Sequence, residues 1–179
     1  MSMKPNPRKL AVLAFGKSEA ELEGAEPLDQ FERLSSLQQQ GVAPAAVQFQ
    51  ARGTMRPCST GEPDPWLHLA AQTRLKLVCQ RCLAPMDELV SFERDFRFVE
   101  SEARAEREDE DSEEDVLALS NDFDLLTLVE DELLMALPTS PMHAVCPTEL
   151  KLRVEDADFL EANSKPNPFA VLAGLMPKP

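Results

Sequence analysis

Hydrophobic positions change their period along this chain, and each change marks an element. From Ala45 onward, Val47, Phe49, Ala51, Gly53 and Met55 alternate with Gln48, Gln50, Arg52 and Thr54, which predicts a strand with one buried face. Pro57 to Pro65 holds three prolines and a glycine and predicts a turn or loop. A second strand follows, with Leu67, Leu69, Ala71, Thr73, Leu75 and Leu77 on one face and His68, Gln72, Arg74 and Lys76 on the other. It ends at Cys79-Gln80-Arg81-Cys82, and Pro85 sits in the turn beyond. A third alternating run has Met86, Glu88, Val90, Phe92, Arg94, Phe96 and Phe98 in one parity. Three strands on short connections predict an antiparallel meander.

The flanks follow other rules. Leu10 to Phe15 fits a short strand or a piece of helix, and Leu28, Phe31 and Leu34 mark a short helix or turn. Between Glu100 and Asp115 lie ten acidic residues, two arginines and no large apolar side chain. Such a block has little surface to bury against its ordering entropy, which predicts a mobile acidic loop over 100–115. Val116, Leu117 and Leu119 suggest one more short strand. Asn121 or Asp122 is placed to cap a helix running to about Leu137, with Leu125, Leu126, Leu128, Val129, Leu133 and Ala136 at three- and four-residue spacing. Pro138 stops it. The predicted fold is α+β, an antiparallel β-meander packed with one main helix. It forms a single domain over 1–162 that contains the acidic loop, followed by a Pro-rich tail over 163–179.

Composition narrows the function. The 179 residues carry a net charge of −14, and a protein that grips phosphate backbones over a broad face needs clustered Lys and Arg instead. A basic partner is electrostatically easier to accommodate. The apolar run after Lys9 is shorter than a signal-peptide core, and no stretch approaches the ~20 apolar residues of a membrane span. The expectation is a cytoplasmic protein with reduced cysteines.

Chemistry concentrates at the cysteines. Cys79-x-x-Cys82 forms a knuckle that can aim two sulfurs at one metal, and His143-x-x-Cys146 would complete a tetrahedral zinc site. Two other readings stand beside it. Cys79 continues the apolar parity of its strand and so fits a small buried core residue, and Cys79 with Cys82 could be a redox pair. No catalytic set stands out: there are two histidines and no glycine-rich phosphate loop. The acidic cluster Glu130, Asp131 and Glu132 and the tail residues Phe169 and Val171 are candidate partner contacts. Arg52, Arg74, Lys76 and Arg81 form a small basic strip that could meet RNA instead.

These motifs resemble one family. The knuckle Val78-Cys79-Gln80-Arg81-Cys82-Leu83, the acidic–apolar helix from Asp124 to Pro138, Pro141-Met142-His143 with Cys146, and the ending Lys165-Pro166-Asn167-Pro168-Phe169-Ala170-Val171-Leu172 are together similar to the YceD family of large ribosomal RNA subunit accumulation proteins. The likeness runs from about Leu75 to Leu175. It implies a non-enzymatic cytoplasmic role in synthesis, processing or stability of 23S ribosomal RNA, and no catalytic residues. The family's gene commonly neighbours one for a small basic large-subunit ribosomal protein. That protein, or a pre-ribosomal particle, is the expected partner, with at most weak contact to 23S RNA. The alternatives are a direct RNA-binding module or a ribosomal RNA processing nuclease.

Overall fold

The computed structural model describes residues 5–39, 45–58 and 61–148. Chain contacts separate Met1–Val145 from Cys146–Pro179, and the fold below is that of the first unit. The tail over 163–179 lies outside the described residues.

Five strands form one sheet in the order β1-β2-β3-β4-β5: β1 Glu21–Pro27, β2 Ala46–Arg56, β3 Asp64–Val78, β4 Pro85–Val99 and β5 Asp115–Ala118. The first four are antiparallel neighbours, whereas β5 pairs parallel to β4. The predicted meander is therefore present as β2, β3 and β4, extended by an edge strand on each side. Strand β1 escaped the sequence reading because only Leu22 of its seven residues is buried. Strand β3 begins at Asp64, inside the stretch read as loop. Asp64 is buried there beside Arg97 and Arg104, so a charge that looked like turn chemistry is an internal ion-pair partner.

One face of the sheet holds the main core. Val47 and Phe49 of β2, Leu67, Leu69 and Leu75 of β3, and Phe96 and Phe98 of β4 are buried. Helices α1 (Val12–Lys17), α2 (Glu32–Leu37) and α4 (Leu125–Met135) supply Val12, Phe15, Leu34, Leu125, Val129 and Leu133 to the core. Helix α1 packs on β2 and β3, while α4 packs on β3, β4 and α2. Gly53 permits the first of these contacts: a Cβ there would sit 2.7 Å from the Phe15 carbonyl oxygen. Helix α4 is the main helix predicted. Its cap is Asp124, whose carboxylate accepts from Leu126 N–H and Thr127 N–H, and not Asn121 or Asp122. Phe123 just before it crosses Phe98 edge-on at 5.1 Å.

The 100–115 segment is a correction. Its first half is helix α3, Glu102–Asp109, and its end enters β5. Ala, Arg and Glu are good helix formers, and Arg104 pairs with Glu108 one turn on at 2.7 Å. Ala105 is buried with Val99 and Val116. Successive strand residues point to opposite faces, so Val99 and Phe98 face opposite ways and α3 covers a corner of the sheet's second face. Arg97 ties that corner down through Asp64, Glu108 and Glu114. Charge count misread this segment because Glu108, Glu114 and Asp115 pair with arginines of the fold and Ala105 supplies a buried contact.

Helix α2 depends on a residue almost a hundred positions away. Oε1 of Glu130 accepts from the backbone N–H of Arg33 at 2.8 Å and of Leu34 at 3.2 Å, and Oε2 accepts from the Arg33 guanidinium at 2.9 Å. Those are orphan donors of a helix first turn, satisfied by a buried carboxylate of α4. Replacing Glu130 with Leu keeps the volume and strands both amides, at a cost of about 2–3 kcal/mol. The denaturant midpoint should fall with an unchanged slope. Asp131→Leu, which breaks only a half-exposed pair with Arg33, should cost under about 1 kcal/mol. Equal losses in the two variants would contradict this capping role.

Candidate metal centre

The site grows from the end of β3. Parity carries Cys79 to the buried side, where it is fully enclosed, and the chain then reverses in a tight knuckle. Cys79 N–H donates to Ala84 O at 3.0 Å and Leu83 N–H to Cys79 O at 2.9 Å. Leu83 adopts φ +60°, a left-handed conformation that costs a non-glycine residue about 1–2 kcal/mol. The turn holds it there, and this tight reversal turns both cysteines towards one point.

After α4 the chain returns to the knuckle. Gln80 N–H donates to Pro141 O at 2.8 Å, and the Arg81 guanidinium donates to His143 O at 2.7 Å. His143 N–H donates to the Cys79 sulfur at 3.4 Å, and His143 Nδ1 lies 3.4 Å from Cys82 Sγ. Cys146 follows three residues later, and ligand atoms of Cys79, Cys82, His143 and Cys146 all lie within 4.8 Å of one another. A tetrahedral ion with bonds of 2.0–2.3 Å separates its ligand atoms by about 3.3–3.8 Å, so the set can close on one metal with small movements. Burial pushes the Cys79 thiol up, but the amide N–H groups of His143, Cys82 and Arg81, with the Cys82 side chain, outweigh it and bring the thiol from 9.0 down to about 5. That sulfur is prepared as a thiolate, the form that binds metal. The four residues singled out from their spacing thus come together. Sixty residues separate the two pairs, and the paired β3–β4 ends with the post-α4 chain close that gap.

A family model described as Large ribosomal RNA subunit accumulation protein YceD matches residues 67–176. The chain belongs to the YceD family. A relative from Haemophilus influenzae, named Large ribosomal RNA subunit accumulation protein YceD, is 36% identical over 109 residues, or 60% of this chain and 63% of that relative. The chain thus spans less than two thirds of the curated relative's length. No solved structure matches it. The matched region holds most of β3, the knuckle, β4, α3, β5 and α4, so every ligand of the candidate centre belongs to the YceD portion, while β1, β2, α1 and α2 precede it.

The other candidate residues are placed differently. In this YceD-family chain Glu130 is turned inward as the α2 cap. Asp131 pairs with Arg33 at 2.6 Å, and Glu132, mostly buried, pairs with Arg94 at 3.2 Å. Burial, with Asp115 and Asp131 nearby, pushes the Glu132 carboxyl up against the opposing pull of Arg94. The acidic cluster is thus joined to internal cations, which the one-dimensional charge pattern could not reveal. Arg52, Arg74 and Lys76 share the face of the sheet opposite the main core, as expected. Arg52 pairs with Glu21 and Lys76 with Asp87, and Arg81 clasps the His143 carbonyl. Arg74 is exposed. Phe169 and Val171 lie outside the described residues. The unforeseen functional contact is the Arg81 clasp, for which spacing supplied no signal.

The thiolate account has a direct test. In metal-free protein, ultraviolet thiolate absorbance should rise with a midpoint near pH 5, and Cys79→Ser should remove that step. The folded value lies below the ordinary one, so the thiolate stabilises the fold fully above about pH 9, and this contribution is lost as pH falls through about 5. A first midpoint near 9 would contradict the N–H···S arrangement.

Proposed function

We propose that the protein is a non-enzymatic cytoplasmic factor of large-subunit ribosome biogenesis. It supports 23S ribosomal RNA accumulation by binding a basic large-subunit ribosomal protein, and one structural zinc ion braces its knuckle. Family membership supports the ribosomal role. The observation that favours protein over RNA as immediate ligand is electrostatic: the net charge is −14, and Arg52 and Lys76 of the basic strip already face carboxylates. Neutralised cations release few counterions on phosphate and contribute little to RNA affinity. A nuclease would need carboxylates gathered on a metal ion, whereas among the described residues the group able to hold a metal is three cysteines and a histidine. Such a closed sulfur-rich set suits structural zinc, because a catalytic site keeps a position open for water. Exposed acids of the α3 region, including Glu106, Glu110 and Asp111, supply long-range steering for a cationic partner, and Phe169 and Val171 remain proposed contacts.

Two measurements test this reading. Protein purified without chelator should carry one zinc per chain, and Cys82→Ser should lose the metal and melt earlier; near-zero metal refutes the zinc assignment. Titration with a purified basic large-subunit ribosomal protein should give binding that weakens as salt rises, since steering is screened beyond about 8 Å at physiological ionic strength. A 23S fragment titrated alongside should bind far more weakly. Nanomolar binding to the RNA with none to the protein would reverse the assignment.

A further inference from the structure

The face of the sheet opposite α1, α2 and α4 is covered at one corner by α3, and elsewhere it lies open among the described residues. Strand register arranges its side chains in rows running across the strands. One row reads Glu21, Arg52, His68 and Asp95; it holds the Arg52–Glu21 and His68–Asp95 pairs, and the second ring nitrogen of His68 lies 3.3 Å from Glu93 of the neighbouring row. The next row reads Glu23, Gln50, Ala70 and Glu93, and the one after it Ala25, Gln48, Gln72 and Ser91. These two rows are small or polar, and they floor a trough of about 760 Å³. Its lining includes two carboxylates and no cation: Glu23 at one end and Glu93 at the other, both exposed. Between them the amides of Gln48, Gln50 and Gln72 are held in place by hydrogen bonds, Gln72 to Gln48 at 3.0 Å and Gln50 to Glu23 at 3.1 Å.

We propose that this trough seats a cationic polypeptide segment lying across the strands. This deepens the reading of a basic protein partner and rests on it for the partner's identity alone. Charge complementarity sets the class. A segment entering the trough meets carboxylates at both ends, and the oriented amides between them can exchange hydrogen bonds with an extended backbone. Nucleic acid is disfavoured, because its phosphates would face the same two carboxylates, and single strands are held on aromatic platforms that these two rows lack. Geometry sets the spacing. Glu23 and Glu93 stand three strand intervals apart, about 14 Å, which an extended chain at about 3.3 Å per residue spans in four residues. The trough therefore selects Lys or Arg residues four apart.

The test uses the full chain, isotope-labelled, and a short alanine–serine peptide carrying two arginines four residues apart. Amide shifts should concentrate on Gln48, Gln50, Gln72 and Ser91. The pair Glu23→Gln with Glu93→Gln should weaken binding about tenfold, from two exposed charge pairs. The pair Glu106→Gln with Glu110→Gln removes the same charge from α3 and its C-terminal cap and should change affinity less than about twofold. Moving the arginines next to each other should also weaken binding. Equal losses in the two double variants, shifts confined to α3, or an oligoribonucleotide that occupies the trough instead would overturn the proposal. The basic ribosomal protein is titrated in parallel. If the peptide seats in the trough while that protein binds nowhere, the proposed partner fails and the trough stands. If that protein binds the Glu23/Glu93 variant undiminished, the trough fails and the partner stands.

Discussion

The register of β3 against β4 sets everything else in this molecule. Thirteen residue pairs, from Trp66 opposite Arg97 to Val78 opposite Pro85, decide which side chains are inside. A slip of one residue would turn Arg97 into the main core and Phe96 out of it, since side chains alternate without exception along a strand. The same register delivers Cys79 to the buried side as the ladder ends. It also places Glu93 and Ser91 on the open face in line with β1 and β2. Core, candidate metal centre and trough are thus three consequences of one pairing.

Around that ladder, long-range polar contacts do what a small apolar core does not. Glu130 joins α4 to α2, Arg97 joins α3 to the sheet, and Arg81 joins the knuckle to the chain after α4. Glu130 and Arg81 reach partners 97 and 62 residues away, and Arg97 reaches one 11 residues on. Where the contact is buried, as at Glu130, removing one partner leaves an unsatisfied group, which costs more than the contact itself contributes. This is why much of the acid in a chain of net charge −14 is structural, and why its acidic helix is a poor guide to where a partner sits. A metal at the knuckle would add the same kind of link, joining the end of β3 to chain more than sixty residues later.

Much was legible from one dimension, for reasons that are local. Period-two alternation in β2, β3 and β4 reports a buried face directly, because side chains point to alternate sides of a strand whatever the partner. The three- and four-residue spacing of α4 reports its packed stripe in the same way. The Cys79–Cys82 and His143–Cys146 pairs were visible because ligand spacing within a turn is set by chain geometry. Other features belonged to the tertiary structure alone. Strand β1 has a single buried side chain and became a strand only by pairing with β2. Helix α3 looked like a solvated acidic loop until Arg97, Asp64 and Val116 gave its charges and its one buried alanine something to meet. The convergence of the two ligand pairs, the inward turn of Glu130 and the alignment of Glu23 with Glu93 are distances between residues far apart in the chain. A sequence carries the local propensity of each element, but pairing and ionic contact between distant elements are settled only when the sheet closes.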